Sequence, residues 1–239
     1  MKHSSLRITW LAAWGWLLVS FTSCFKSTDH SPVIEKTIPV TGFSKIYAGE
    51  QFHLVVQKGD SFLVKVKGPS DTVNDIDWDV NNQILDIRYQ QHWKQHPVVE
   101  VFITLPDLVQ LNLSGAATGT VAGFQGTAHV LRTVLSGSSN CTITGTGASS
   151  QVDLSGSSQI TISGTTGLLY GNLSGGSRLN AYGLAAESVD IAASGGSLGR
   201  VSVSNRLDAD ASGGSRIFYR GDPSVKNITI SGGGRVIRD

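Results

Sequence analysis

The sequence is short of the residues that staple, kink or charge a protein. It has two cysteines among 239 residues, six prolines, one methionine, and only 15% charged residues. Two cysteines cannot build the disulfide framework on which small exported domains rely. Lys and Arg number 19 against 18 Asp and Glu, a formal net charge of +1 with no long run of either sign. The chain therefore lacks the basic footprint of a nucleic-acid-binding protein. Its apolar stretch Ile8–Phe21 is too short to cross a bilayer as a stable helix.

That stretch has a different logic. Lys2 and Arg7 precede it and "FTSC" closes it at Cys24, the tripartite order of a secretory signal. Thr22 and Ser23 directly before a cysteine resemble the lipobox of bacterial lipoproteins, with Phe21 standing where Leu is commonest. By that resemblance residues 1–23 are a signal peptide and Cys24 becomes the lipidated first residue of the mature chain. The protein is then anchored to a membrane surface rather than spanning it; ordinary cleaved secretion is the alternative. With Cys24 acylated, Cys141 has no partner for an intramolecular disulfide. Residues 24–39 read as the lipidated cysteine and a polar tether.

What the chain has in excess is glycine, 28 residues, mostly after position 110. One series of Ser-Gly runs through Ser114, Ser136, Ser155, Ser174, Ser194, Ser212 and Ser231, at spacings of 22, 19, 19, 20, 18 and 19. A near-constant period of this size marks a solenoid. One position before each serine stand Leu113, Leu135, Leu154, Leu173, Ala193, Ala211 and Ile230. Three before it stand Leu111, Thr133, Val152, Gly171, Ile191, Ala209 and Ile228, with mostly polar residues between. This is the period-two alternation of a strand with one apolar face.

A second strand follows the corner, with Cys141 and Ile143, Ile160 and Ile162, Leu179 and Ala181, Ile217 and Tyr219 facing one way. Nine positions after the serine, glycine recurs as Gly123, Gly145, Gly164, Gly183 and Gly221, as a chain requires where it turns with positive φ. No repeat carries a helical pattern, and about 19 residues is too short for a propeller blade. The pattern predicts an all-β parallel β-helix over residues 111–239, each strand pairing with its equivalent in the next coil. A single coil buries too little apolar surface to offset its ordering cost, so stacking is obligatory. The last strand, in "ITISGGGRVIRD", has no evident covering helix. Its coil is expected either to be blunted by Arg235, Arg238 and Asp239 or to associate end to end.

Between residues 40 and 110, "FHLVVQKGDSFLVKVKG", "QILDIRY" and "VVEVFITLP" read as longer, more charged strands, separated by turn signals at Lys58-Gly59-Asp60, Gly68-Pro69 and Asn81-Asn82. They predict wider, less regular first coils continuous with the solenoid. The order "VTGFSKIYAGEQFHLVVQKGD", "VKVKGP", "QILDIRY", "VEVFITLPDLVQLNLSGAA" and then Ser-Gly coils resembles the bacterial lipoprotein family of the auto-transporter adhesin, head GIN domain, common in Bacteroidetes. The resemblance covers about residues 37–238. It implies a right-handed, single-stranded parallel β-helix behind a lipoprotein signal, and it brings no catalytic or binding motif to carry over.

Chemistry must therefore be sought in the residues themselves. His92 and His96 in "HWKQHP" have the spacing of two ligands on a helix face, but sit in a polar loop before Pro97 with no third ligand nearby, and a solvated loop tip is expected. Parallel β-helices often house polysaccharide lyases and hydrolases, which gather acidic and basic groups on adjacent coils. Candidates are Asp153, Asp190, Asp208 and Asp210 beside an arginine series of Arg178, Arg200, Arg216 and Arg235. The loops between strands are minimal, however, and nothing obvious walls a substrate cleft. The serine column has no histidine beside it and suits corner hydroxyls bonded to backbone. Cys141 falls in an apolar column and should be a buried, inert thiol.

The sequence thus predicts a non-enzymatic binding scaffold, membrane-anchored at Cys24 and displayed from the cell envelope. Arg178, Arg200, Arg216 and Arg235 form its candidate binding face for a glycan or protein ligand. No metal or cofactor is called for, and the oligomeric state is open. A carbohydrate-active enzyme and a structural envelope component are the alternatives.

Overall fold

The computed structural model describes residues 31–126 and 130–239; the expected signal peptide and Cys24 lie outside the described residues. The molecule is nearly all β, 63% strand and 2% helix, and forms a β-solenoid of about six turns with parallel pairings roughly 20 residues apart. The strands are β1 (Val33–Ile38), β2 (Lys45–Ala48), β3 (Phe52–Lys58) and β4 (Leu63–Pro69), then a short helix α1 (Ser70–Asn74). There follow β5 (Ile76–Asn81), β6 (Ile84–Tyr89), β7 (Val99–Leu105), β8 (Gln110–Leu113), β9 (Thr118–Ala122), β10 (Val130–Leu135), β11 (Asn140–Thr144) and β12 (Ser149–Leu154). Last come β13 (Gln159–Leu173), β14 (Arg178–Ala193), β15 (Leu198–Ala211), β16 (Arg216–Arg220), β17 (Val225–Ile230) and β18 (Arg235–Arg238).

Each Ser-Gly is a corner between two sides of the coil. The strand before the corner stacks as β8, β10, β12 and the later halves of β13, β14 and β15, then β17. The strand after it stacks as β9, β11, the early parts of β13, β14 and β15, then β16 and β18. We call these the A and B faces. Leu113, Leu135, Leu154 and Leu173 point inward from A, and Cys141, Ile143, Ile160, Ile162 and Leu179 from B, all buried in one continuous core.

The corner glycines have left-handed φ, for example +70° at Gly137 and +68° at Gly156. Their carbonyls accept hydrogen bonds from the next coil, Ser138 N to Gly115 O and Ser157 N to Gly137 O, both at 2.7 Å. The later corner serines bond backbone as expected, but on the preceding coil: Ser174, Ser194 and Ser212 Oγ donate to Leu154, Leu173 and Ala193 O. At the far corner the expectation of uniform turns fails at Gly183. Gly123, Gly145, Gly164 and Gly221 have positive φ but Gly183 does not; there β14 runs on through the corner, with a register shift against β15.

Three residues after five of the seven corner serines, all but Ser114 and Ser231, stands a second serine: Ser139, Ser158, Ser177, Ser197 and Ser215, every one buried. The sequence pattern had not set them apart. Most point their hydroxyls at carbonyls, as in Ser139 Oγ to Ser136 O and Ser215 Oγ to Ala193 O, each 2.9 Å.

The first third is less regular than its expected coils, and its spatial order differs from its chain order. β2 pairs in parallel with both β6 and β8, and β3 with both β7 and β9. The coil that comes first in the chain is thus the second in the stack, between β6–β7 and β8–β9. Antiparallel strands close the exposed edge beyond: β5 on β6, β4 on β7, and β1 on β4. These edge strands satisfy the backbone groups that the outermost coil would otherwise leave open. At the opposite end the inward-facing Ile228 and Ile230 of β17 are 43% and 52% exposed, and Arg220–Asp239 and Arg238–Asp222 pair at 3.1 and 3.3 Å at the ends of β16 and β18.

Candidate binding faces

The B face carries the arginines. Its outward column nearest the Ser-Gly corner runs Thr118, Asn140, Gln159, Arg178, Leu198, Arg216, Arg235. Arg178, Arg216 and Arg235 thus share one line, interrupted once by Leu198. Neighbouring coils are about 4.8 Å apart. Arg200 belongs to the next column, level with Asn180 and Phe218, its guanidinium 5.8 Å from the Phe218 ring centre. Among the described residues Arg178, Arg200, Arg216 and Arg235 form no ion pair, whereas Arg88, Arg132, Arg206, Arg220 and Arg238 each do.

Further along the same face Arg220 lies 4.0 Å over the Tyr182 ring. It shares Asp239 with the Tyr182 hydroxyl, which donates at 2.9 Å. The hydroxyl bond, reinforced by Arg220, holds the Asp239 carboxyl below the usual range.

The aspartates lie on the A face instead. Asp153 accepts from Arg132 at 3.0 Å, Gln151 at 3.2 Å and Asn172 at 3.1 Å. Asp208 accepts from Asn227 at 2.6 Å and Arg206 at 2.7 Å, and the Asn227 bond foremost lowers its pKa. Asp190 is level with Asp208 on the adjoining coil, and Asp210 follows two residues on. Burial, then the charges of Asp208 and Asp210, push the Asp190 carboxyl up.

The expected placement of the arginines beside these aspartates is thus corrected: the Ser-Gly corner separates the two sets. Asp residues precede the serine by two or four positions and the arginines follow it by four or six, so they project from different sides of the coil. No carboxylate of the A set meets an arginine of the B set in an ion pair among the described residues. The A set has its own partners in Arg132 and Arg206.

Nearer the closed end a groove of 530 Å³ is lined by residues including Tyr47, Glu50, Asp86, Arg88 and Asn112. Arg88 bridges Asp86 and Asp77. Glu50 stands where later coils have the corner glycine: its carbonyl accepts from Ala116 N at 2.7 Å and its φ is +57°, a conformation a side chain rarely adopts. Burial raises its pKa, with His96 and His92 opposing. Nothing in the periodicity had marked Glu50, because Gly49-Glu50 replaces Ser-Gly there.

The two histidines do not form a ligand pair. His92 Nδ1 lies 2.9 Å from Tyr89 O. The expectation of a solvated loop tip holds for His92 but not for His96, whose side chain is 7% exposed, stacked on the Tyr89 ring at 3.8 Å. Its Nε2 lies 3.1 Å from Gln91 O and 3.3 Å from Asp75 Oδ2. Among the described residues no three His, Cys, Asp or Glu side chains are arranged to hold a metal ion. Cys141 is buried, and burial pushes its thiol pKa up to about 12.

With this geometry in view, the family described as "Putative auto-transporter adhesin, head GIN domain" matches residues 42–223. The chain belongs to this family. A "putative adhesin" from Bacteroides fragilis has a similar structure, with a TM-score of 0.77 and 20% identity over 88% of this chain and 99% of that one. A "putative lipid binding protein" from Parabacteroides distasonis gives 0.69 and 15% identity, over 88% and 98%. A "putative adhesin" from the same species gives 0.65 and 18%, again over 88% and 98%. At these identities the likeness speaks to the fold. No curated protein shows a significant match. The adhesin family and these neighbours are named for adhesion or binding and not for enzymes, which suggests a cell-surface or envelope setting.

Proposed function

We propose that this head GIN domain protein is a lipid-anchored envelope adhesin that binds an anionic glycan along its B face without turning it over. The observation that carries the reading is the line of guanidiniums at Arg178, Arg216 and Arg235, none of them in an ion pair among the described residues, with Arg200 alongside, likewise outside any ion pair though its charge reaches Asp239. The other arginines among the described residues are paired with acids. Guanidiniums present rigid forks that suit carboxylate and sulfate groups, and a coil-by-coil ladder suits a polymer with regularly spaced charges. The separation of acids from arginines by a corner argues against a lyase or hydrolase, whose acid and base must converge on one bond. Envelope attachment rests on Cys24 and its lipobox-like context.

The test is an acidic-glycan array probed with the protein at low and high salt, together with a reducing-end assay on polygalacturonate. Salt-sensitive binding with no release of reducing ends supports the reading. Cleavage overturns it and turns attention to Asp153, Asp190, Asp208 and Asp210.

A further inference from the structure

Between β6 and β7, at the closed end of the solenoid, a turn carries the most exposed aromatic residue among those described. Lys94 N donates to Gln91 O at 3.0 Å, a four-residue turn that puts Trp93 near its tip. Trp93 is 76% exposed, with the His92 ring edge-on at 6.0 Å. Lys94 follows it directly, and Val98 in the same loop is 59% exposed.

The base of this loop is firmly held. His96 stacks on Tyr89, which stacks in turn on Phe52 at 4.5 Å. Gln90 N donates to Asp75 O at 2.8 Å and Gln91 N to the Asp75 carboxylate at 3.3 Å. A rigid base with a large apolar ring left in water at its tip costs solvation and contributes nothing to the core. The arrangement asks for a partner that accepts a ring and an adjacent cation together.

The position of the loop indicates which partner. Ser70 N donates to Pro32 O at 2.9 Å, so the point where the tether enters the fold is tied to the start of α1. Helix α1 ends beside Asp75, the residue that grips the Trp93 loop. Five helical residues advance about 7.5 Å, so the loop and the tether's entry lie at the same end of the molecule. Six residues separate Cys24 from Ser31, and the seven steps of chain reach at most about 25 Å when extended. An acyl chain on Cys24 would hold this end close to the bilayer.

The geometry points to the Trp93 loop as a second contact with the lipid bilayer, its indole seated among the headgroups and Lys94 against lipid phosphates. Trp favours that interface because its ring is apolar and its N–H seeks a polar partner. A single lipid chain gives marginal, reversible attachment, and a second contact strengthens it. Two points of contact would also fix the tilt of the solenoid, so that the arginine ladder is held at a set angle to the membrane. This inference rests on the anchoring part of the proposed function.

The test uses the full chain made in a Gram-negative host and purified with its native N-terminus, whose mass reports whether Cys24 is acylated. The protein is reconstituted into phosphatidylethanolamine–phosphatidylglycerol vesicles with brominated acyl chains, and tryptophan emission is compared with that of Trp93→Ala and Trp78→Phe variants. Quenching and a blue shift retained in Trp78→Phe and lost in Trp93→Ala support the docking. Acylated, vesicle-bound protein whose Trp93 emits as it does in buffer overturns the docking and leaves the anchor standing. A mass showing no acyl chain defeats the anchoring reading by itself. The docking is then decided by the same measurement with vesicles in excess, where quenching specific to Trp93 sustains it and its absence overturns it.

Discussion

A Cβ atom on Gly137 would lie 2.7 Å from the carbonyl oxygen of Gly115, one coil away, while Ser138 N donates to that same oxygen at 2.7 Å. The corner therefore has no room for a side chain on the coil-to-coil contact, and its +70° φ is unfavourable for any residue but glycine. Gly156 sits on Gly137 in the same way. Gly137→Ala should cost about 1–3 kcal/mol from the left-handed conformation alone, with the backbone contact adding to it. Urea denaturation measures this, and an unchanged midpoint would contradict the stacked-corner account.

The buried serine column allows a contrast within one set of equivalent positions. Ser215 Oγ donates to Ala193 O at 2.9 Å, whereas Ser177 Oγ is buried with no partner among the described residues. Ser215→Ala should lose about 0.5–1.5 kcal/mol, the net worth of a typical hydrogen bond. Ser177→Ala should be neutral or stabilising. Equal losses at both positions would show that the hydroxyls matter through packing rather than bonding.

Cys141 should react with iodoacetamide only when the fold opens. Its thiol is buried and its pKa raised to about 12 by burial, so both access and the thiolate fraction are suppressed. Alkylation at pH 8 is expected to be slow in buffer and complete in denaturant. Rapid labelling of the native protein would mean that the B-face core opens locally.

Glu50 should make the closed end sensitive to pH. Burial favours its neutral carboxyl, so its folded pKa lies above the unfolded value of about 4.3. The associated stability is fully present below the unfolded pKa and is lost as pH rises through the folded one. Glu50→Gln should therefore melt higher than the parent at pH 7, the difference vanishing below about pH 4. A difference that persists in acid would locate the effect in backbone strain instead.

How much of this was legible depended on whether a residue obeyed the period. The Ser-Gly spacing marked every corner from Ser114 to Ser231, because stacked glycine carbonyls leave no alternative residue there. The first coil was unreadable for the same reason reversed: Gly49-Glu50 makes its corner, and β2–β3 inserts between β6–β7 and β8–β9, which no linear period encodes. The antiparallel β1 and β4 close the edge by pairings distant in the chain, whereas β5 folds back on β6 through the two residues Asn82 and Gln83. The inner serines were in plain view in "SGSS" and "SGGS", but an inward polar residue runs against the expectation of an apolar core. Offsets from the corner already held the separation of acids from arginines; only the observation that the corner changes faces turned those offsets into two surfaces.

The arginine ladder has one gap, and the gap makes its own experiment. Arg178, Arg216 and Arg235 line up with Leu198 between the first two. Exposed ion pairs are worth up to about 1 kcal/mol each. Arg178→Ala, Arg216→Ala and Arg235→Ala should therefore each weaken binding to an acidic polysaccharide by about two- to fivefold, with a shallower salt dependence. Leu198→Arg restores the missing charge at the right height and should strengthen binding by a comparable factor. Titration calorimetry with polygalacturonate at two salt concentrations reads all four variants. If Leu198→Arg binds no better while the alanine variants bind no worse, the B face is a solvated surface and the ligand is held elsewhere.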